Sequence, residues 1–217
     1  MLQNVMKIKF KKYWRKTSFK NIEDGSFLLE HVKKNKPKNF LEIGVFHGVT
    51  SRNVCELLYL IHGNDFKFTG IDLFSQEHES KKDEFAPNRF FSNPLKNIYY
   101  RYLVRYDPYS IESVRKLLNK FKKNINIIKG DSSKILKNID IAKVDYVFLD
   151  GGHKYETVKN DLENLTHVVS NNGIILCDDY NLTYAPGVKK AIDEYVNNKK
   201  FSLNILNFRF AEIKNKI

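Results

Sequence analysis

The stretch LEIGVFHGVTS, Leu41–Ser51, is the strongest indication of the fold, because it is typical of a buried strand, a glycine turn and a helix start in succession. Gly44 permits a tight turn, and Gly48 allows the helix to pack close to the strand. A dinucleotide-binding turn follows the pattern G-x-G-x-x-G, whereas Phe46 occupies its middle position here. A pyrophosphate would approach such a turn poorly. Glu42 can instead accept a hydrogen bond from an ammonium group, which suits a cofactor that carries an amino acid.

Apolar runs alternate with helical patterns along most of the chain. Strands are predicted over residues 39–44, 66–73, 125–129, 144–149 and 173–177, with one or two more over 201–213. Helices are predicted over residues 23–35, 49–61, 111–121, 132–138, 155–170 and 188–197. Near-continuous apolar strands between helices are typical of an α/β fold with a mostly parallel sheet covered on both faces. Ligands of such sheets bind beyond the carboxyl ends of the strands.

The length and composition of the chain indicate a single domain that can bury a sizeable hydrophobic core. It has 217 residues, two cysteines and a formal net charge of +12. The positive charge suggests nucleic acid as a binding partner. Lysine far outnumbers arginine, however, so a general compositional bias of the chain is the favoured explanation of the charge. The cysteines are expected to be buried thiols in a reducing compartment. With no apolar run of membrane-spanning or signal-peptide length, we expect a cytoplasmic protein.

Two regions depart from the regular alternation of strands and helices. Residues 1–20 are basic and contain Phe10, Tyr13 and Trp14, so residues 1–36 are expected to form a basic, helical N-terminal extension. This extension is either loosely docked or in contact with a membrane surface or an acidic partner. Residues 74–124 form an insertion that is either a lid or acceptor pocket, or only packs against the domain. Its aromatic residues are Phe85, Phe90, Phe91, Tyr99, Tyr100, Tyr102, Tyr106 and Tyr109.

Single acids follow the second and third predicted strands. Asp72 is placed to accept two ribose hydroxyls, the alternative being an ordinary loop or cap acid. Asp131 can accept a hydrogen bond from an adenine amine, and it can also cap the helix that starts at Ser132.

Acids also follow the fourth and fifth strands, with Asp150 and His153 after one and Asp178 and Asp179 after the other. Neighbouring parallel strands lie about 4.8 Å apart, so these carboxylates can converge. Converging carboxylates repel one another, which a divalent cation such as Mg²⁺ relieves. The acids are therefore predicted metal ligands, although they can also merely orient loops. Either His153 or Asp150 can act as a base, and His153 can also be a simple turn residue.

Taken in order, the blocks LEIGVFHGVTS, GIDLF, KGDSSKIL, VDYVFLDGGHKYETVKNDL and NGIILCDDYN resemble class I S-adenosylmethionine-dependent methyltransferases. The resemblance is narrower to the small-molecule O-methyltransferases that tailor macrolide and coumarin sugars, and it covers residues 39–180. It implies a Rossmann-like seven-stranded sheet and a divalent metal held by the acids named above. The implied cofactor residues are Glu42, Gly44, Phe46, Gly48, Ser51, Asp72, Asp131 and Ser132. Phe46 departs from the glycine that is common in methyltransferases.

The sequence thus predicts a metal-assisted O-methyltransferase for a small hydroxylated acceptor, a sugar or glycan unit. One alternative is a methyltransferase of nucleic acid or protein that uses the basic surface. The Asp-Gly-Gly-His of residues 150–153 disfavours nucleic acid, because amino-directed nucleic-acid enzymes usually have an Asn/Asp-Pro-Pro-Tyr/Phe motif there. A second alternative is a non-catalytic nucleotide-binding module. A homo-oligomer is compatible with the sequence.

Overall fold

The computed structural model describes residues 9–74, 91–105, 107–141, 143–197 and 201–215. Its strands and helices alternate along the chain as the sequence predicts. The strands are β1 Asn39–Ile43, β2 Lys67–Asp72, β3 Ile125–Lys129, β4 Val144–Leu149, β5 Val169–Cys177, β6 Phe201–Leu206 and β7 Phe210–Asn215. The α-helices are α1 Ile22–Asn35, α2 Val49–His62, α3 Pro94–Ile98, α4 Ile111–Leu117, α5 Ser132–Asn138, α6 Tyr155–Val168 and α7 Pro186–Asn197. A π-helical segment, Tyr99–Val104, follows α3, and a 3₁₀ turn, Asn119–Phe121, follows α4.

The seven strands form one sheet in the order β3-β2-β1-β4-β5-β7-β6. Strands β1 to β5 pair in parallel, whereas β7 runs antiparallel to both β5 and β6. The sheet is therefore mixed, and its α/β Rossmann-like architecture is confirmed. The strand order reverses between β1 and β4, and Ile43 lies in register with both Ile71 and Leu149. The carboxyl ends of β1, β2 and β4 consequently meet at the edge where ligands of such sheets bind.

Apolar side chains cover both faces of the sheet, as expected for strands whose successive residues point to opposite sides. Phe40 of β1 belongs to a core layer with Leu28 of α1 and Leu58 of α2. The next residue, Leu41, belongs to the opposite layer, with Leu162 of α6. Each of these side chains is less than 2% exposed, and burying one contributes roughly 1.5–3 kcal/mol.

The prediction of a helical extension over residues 1–36 is wrong for residues 9–20, whereas the helix predicted over residues 23–35 is present. Residues 9–20 contain no helix, and α1 begins at Ile22, where the side chain of Asn21 accepts a hydrogen bond from the N–H of Glu23. Phe10 and Phe19 are buried in the core, so this irregular segment is anchored to the domain. Residues 1–8 of the predicted extension lie outside the described residues. None of the described helices is long and apolar enough to cross a membrane.

Smaller differences occur at element boundaries. Helix α6 ends at Val168 rather than at residue 170, because Val169 already pairs with Val144 in the sheet. Within the insertion, the helix predicted over 111–121 is divided into α4 and the 3₁₀ turn. Residues 75–90 and 106, which include Phe85, Phe90 and Tyr106, lie outside the described residues. The lid function of the insertion stays a prediction.

Candidate cofactor and acceptor site

The turn after β1 lies directly against the turn after β4. The N–H of Gly44 donates to the carbonyl of Ile71 at 2.9 Å, and the N–H of Asp150 donates to the carbonyl of Ile43 at 2.8 Å. Gly44 has φ +94°, and a Cβ atom built on it would lie 1.9 Å from the carbonyl oxygen of Asp150. Only glycine fits this position, and the close approach joins the predicted cofactor turn to the first predicted metal ligand.

Glu42 is fully buried at the end of β1. The hydroxyl of Ser51, in the first turn of α2, donates to its Oε2 atom at 2.5 Å, whereas Oε1 has no hydrogen-bond partner among the described residues. The pKa of Glu42 is raised to about 8, mainly because of burial and also because of the charge of Asp72, with the hydrogen bond from Ser51 acting in the opposite direction. Because an unpartnered buried carboxylate oxygen is costly, an ammonium donor at this point would be strongly favoured.

Asp72 secures the glycine turn from the end of β2. Its Oδ2 accepts the N–H of Phe46 at 2.7 Å, and its Oδ1 accepts the N–H of Phe74 and the hydroxyl of Tyr109, at 2.9 and 2.8 Å. Phe46 has φ +50°, a conformation that a bulky residue rarely adopts, and the bond from Asp72 helps to hold it there. Tyr109 comes from the insertion, and sequence reasoning did not assign it to the site.

Asp131 and Ser132 lie after β3, each with a protein partner. Asp131 Oδ1 accepts the N–H and the hydroxyl of Ser133 at 3.0 and 2.7 Å, so Asp131 caps α5. Its contact with adenine stays a prediction. The hydroxyl of Ser132 donates to Oδ1 of Asp161 at 2.6 Å. Asp161 is a buried residue of α6 that sequence reasoning did not single out.

Asp150, Asp178 and Asp179 converge at the ends of β4 and β5. One carboxylate oxygen from each lies within 4.8 Å of the others, a spacing that could hold a metal ion. Burial raises the pKa of Asp150 well above its ordinary value, and the charges of Asp178 and Asp179 raise it further. The structure therefore brings together the three acids that the sequence indicated as ligands of a hard cation.

Arg209 is the main partner of this cluster that the sequence did not indicate. Its guanidinium forms a two-pronged ion pair with Asp178, with Nη2 at 2.7 Å from Oδ2, and it also lies 3.2 Å from Asp179. Arg209 belongs to the turn between β6 and β7, far from the other site residues along the chain. One guanidinium balances one of three carboxylates, so two negative charges are left when all three acids are ionised.

His153 is oriented by the same cluster. Its Nε2 atom lies 2.9 Å from Oδ2 of Asp179, and the hydroxyl of Tyr184 donates to Oδ1 of Asp179 at 2.9 Å. Burial would raise the pKa of Asp179, but the bonds from His153 and the charge of Arg209 outweigh it, so the pKa is lowered. An imidazole held by an ionised carboxylate is suited to accept a proton.

The N-terminal segment also reaches the site. The hydroxyl of Ser18 donates to Oδ2 of Asp150 at 2.8 Å. Arg15 donates to the carbonyls of His47, Pro108 and Ser113 at 3.2 to 3.3 Å. The segment thus links the glycine turn, the insertion and an acid of the cluster.

Residues 41–180, well over half of the chain, match a sequence family described as a methyltransferase domain. The chain belongs to this methyltransferase family. The predicted resemblance to class I S-adenosylmethionine-dependent methyltransferases is confirmed. No curated protein shows detectable sequence similarity to this chain.

Solved structures share the fold of this methyltransferase. The S-adenosylhomocysteine-bound methyltransferase PaMTH1 of Podospora anserina is 17% identical, with a TM-score of 0.60 over 91% of this chain and 80% of its own. The O-methyltransferase NovP is 21% identical, with a TM-score of 0.63 over 90% and 79%. TomG from Streptomyces achromogenes, an O-methyltransferase of tomaymycin synthesis solved with S-adenosylmethionine, is 14% identical, with a TM-score of 0.61 over 91% and 81%. At these identities the likeness concerns the fold.

The candidate site therefore has two adjoining halves. One half is the turn with Glu42 and Asp72, and the other is the acid cluster with His153. Asp131 and Ser132 lie beyond the first half, after the edge strand β3. The hydroxyl of Ser132 links this end of the site to α6 through Asp161. Sequence reasoning missed the residues supplied by other segments, namely Ser18, Tyr109, Asp161, Tyr184 and Arg209.

Proposed function

We propose that this chain is an S-adenosylmethionine-dependent O-methyltransferase that acts on a hydroxyl of a small molecule, a sugar or glycan unit, with the help of a divalent cation. The observation that carries the proposal is the contact between the two halves of the site. The backbone of Asp150 is hydrogen-bonded to Ile43 and pressed against Gly44. A methyl donor held by the turn would therefore lie beside an acceptor held by the acids.

On the cofactor side, the buried Oε1 of Glu42 supports the binding of an amino-acid ammonium group. Asp72 would accept hydrogen bonds from the ribose hydroxyls, and Asp131 and Ser132 would contact the adenine. Phe46 stands where a dinucleotide-binding turn has glycine, which disfavours a pyrophosphate and with it a dinucleotide. When bound, S-adenosylmethionine supplies a methyl group on a positively charged sulfur.

On the acceptor side, Asp150, Asp178 and Asp179 would hold the divalent cation. When all three acids are ionised, their carboxylates and the guanidinium of Arg209 leave two negative charges, which a divalent cation would balance. Mg²⁺ suits these hard oxygen donors. When bound, such a cation lowers the pKa of a coordinated hydroxyl, because it stabilises the negative charge that develops on oxygen.

His153 is proposed as the base. Asp179 orients its ring through the bond to Nε2 and stabilises the imidazolium that forms when the ring accepts a proton. The acceptor oxygen forms a bond to the methyl carbon while the bond between that carbon and sulfur breaks. The hydroxyl proton passes to His153, and S-adenosylhomocysteine and the methylated acceptor leave.

Cofactor binding tests the first half of the proposal. We expect S-adenosylmethionine to raise the melting temperature of the protein, with a stabilisation of about 2.7 kcal/mol at a hundredfold excess over Kd, and NAD to have no effect. Glu42→Gln should weaken binding roughly tenfold, because glutamine cannot ionise to form the carboxylate that would pair with the ammonium group. Glu30→Gln, at an exposed position of α1, is the matched control. A Glu42→Gln variant with wild-type affinity would contradict the assigned role of Glu42.

Metal removal tests the second half. We expect excess EDTA to abolish methyl transfer to a sugar acceptor and Mg²⁺ to restore it, with the affinity for S-adenosylhomocysteine unchanged by either treatment. Turnover is measured as release of S-adenosylhomocysteine and affinity by calorimetry. Full activity in EDTA would refute the role of the metal in methyl transfer. Cofactor binding without any turnover would instead favour a non-catalytic binding module.

A further inference from the structure

The hydroxyl of Ser132 is held by a buried carboxylate from another element. Ser132 opens α5, directly after the predicted adenine ligand Asp131, and its Oγ atom donates to Asp161 Oδ1 at 2.6 Å. Asp161 lies on α6 and is 1% exposed. Its second oxygen, Oδ2, has no hydrogen-bond partner among the described residues. Asp161 therefore keeps one carboxylate oxygen buried and without a hydrogen bond, which costs free energy.

The direction of this hydrogen bond restricts what Ser132 can offer a ligand. A serine hydroxyl has one hydrogen and two lone pairs, whereas an ionised carboxylate only accepts. Because the hydrogen is committed to an ionised Asp161, the Oγ atom of Ser132 can act only as an acceptor towards a ligand. An acceptor attracts an N–H group and repels a carbonyl oxygen.

We propose that Asp161 is a specificity-determining residue that acts through Ser132, holding its hydroxyl as an acceptor so that the site selects a nucleoside with an exocyclic amine over one with a carbonyl. The inference rests on the proposed function, in which adenine lies against Asp131 and Ser132. The exocyclic amine of adenine has two hydrogens, enough for both side chains to accept one. Hypoxanthine has an oxygen at that position and would face two acceptors.

The test compares two ligands that differ at this position, S-adenosylhomocysteine and S-inosylhomocysteine, by calorimetry. The pKa of Asp161 is raised to about 7, mainly because of burial and also because of the charge of Asp131, with the hydrogen bond from Ser132 acting in the opposite direction. The titrations are therefore run at about pH 8.5, where the carboxylate is ionised. We expect the wild type to prefer the adenine compound by about a hundredfold, each mismatched acceptor contributing roughly tenfold.

Asp161→Ala frees the hydroxyl of Ser132 to rotate and donate, so the preference should fall to about tenfold, the part due to Asp131. Asp161→Asn keeps an acceptor oxygen for Ser132 at nearly the same size, and it should retain the wild-type preference. Circular dichroism and melting temperature report the fold of each variant. A merely structural role of Asp161 would change stability but not the ratio of the two affinities.

An Asp161→Ala variant that keeps the wild-type ratio within about twofold would overturn the inference. Should this variant fail to fold, Ser132→Ala decides in its place, since loss of the acceptor should reduce the ratio by the same factor and an unchanged ratio would again refute the inference. Failure of the wild type to bind S-adenosylhomocysteine is a different result, because it would refute the proposed function itself.

Discussion

Replacing Gly44 with alanine should cost the protein about 4 kcal/mol or more of unfolding free energy, an effect reached by few single substitutions. The new Cβ atom would lie 1.9 Å from the carbonyl oxygen of Asp150 and 2.5 Å from its carbonyl carbon. Both are backbone atoms at the end of a central strand, so neither can move aside cheaply. The residue also has φ +94°, which adds backbone strain for any side chain.

Gly63→Ala is the matched control, because Gly63 also has a positive φ, +62°, but nothing lies within 4 Å of the position of its Cβ atom. Gly63 has ψ −126°, outside the left-handed helical region, so this variant carries a backbone strain of roughly 1–3 kcal/mol without a steric clash. Urea unfolding of both variants measures the difference. Equal losses of unfolding free energy in the two variants would show that the turn after β1 does not press against Asp150. The two halves of the site would then not be in contact.

The strands and the acids that follow them could be predicted because both depend on local patterns. Apolar runs such as residues 144–149 define buried strands, and parallel strands bring their carboxyl ends to one edge. Acids that directly follow β4 and β5 then converge whatever the rest of the chain does. For Asp150, Asp178 and Asp179 this reasoning was sufficient.

Partners from distant segments could not be predicted in this way. Arg209 reaches Asp178 only because β7 inserts antiparallel between β5 and β6, and pairing of this kind leaves no motif at the arginine itself. The basic residues near Ser18 favoured an amphipathic helix. Composition does not show that Phe10 and Phe19 enter the core and fix this segment in an irregular path. Long-range packing decided both cases.

Replacing His153 with glutamine should lower kcat for methyl transfer by roughly 10²–10⁴-fold, the usual contribution of a general base. Glutamine is close to histidine in size and can still donate to Asp179, so the ion pairs of Asp179 and Arg209 should persist. It cannot take up a proton at neutral pH. The affinity for S-adenosylhomocysteine should therefore stay within about threefold of the wild type, since the substitution does not change the contacts that bind the cofactor. Stopped assays for kcat and calorimetry for binding separate the two quantities.

His62→Gln is the control, since His62 hydrogen-bonds the carbonyl of Lys36 at the end of α2 that points away from the site. A second variant, His153→Ala, separates proton transfer from structural support, because free imidazole in the medium should restore part of its activity only if the ring accepts the proton. A loss of less than about threefold in kcat for His153→Gln, without rescue of His153→Ala, would transfer the role of the base to Asp150. The ionised Asp179 beside His153 is the reason to expect the other result, since that carboxylate is placed to stabilise an imidazolium.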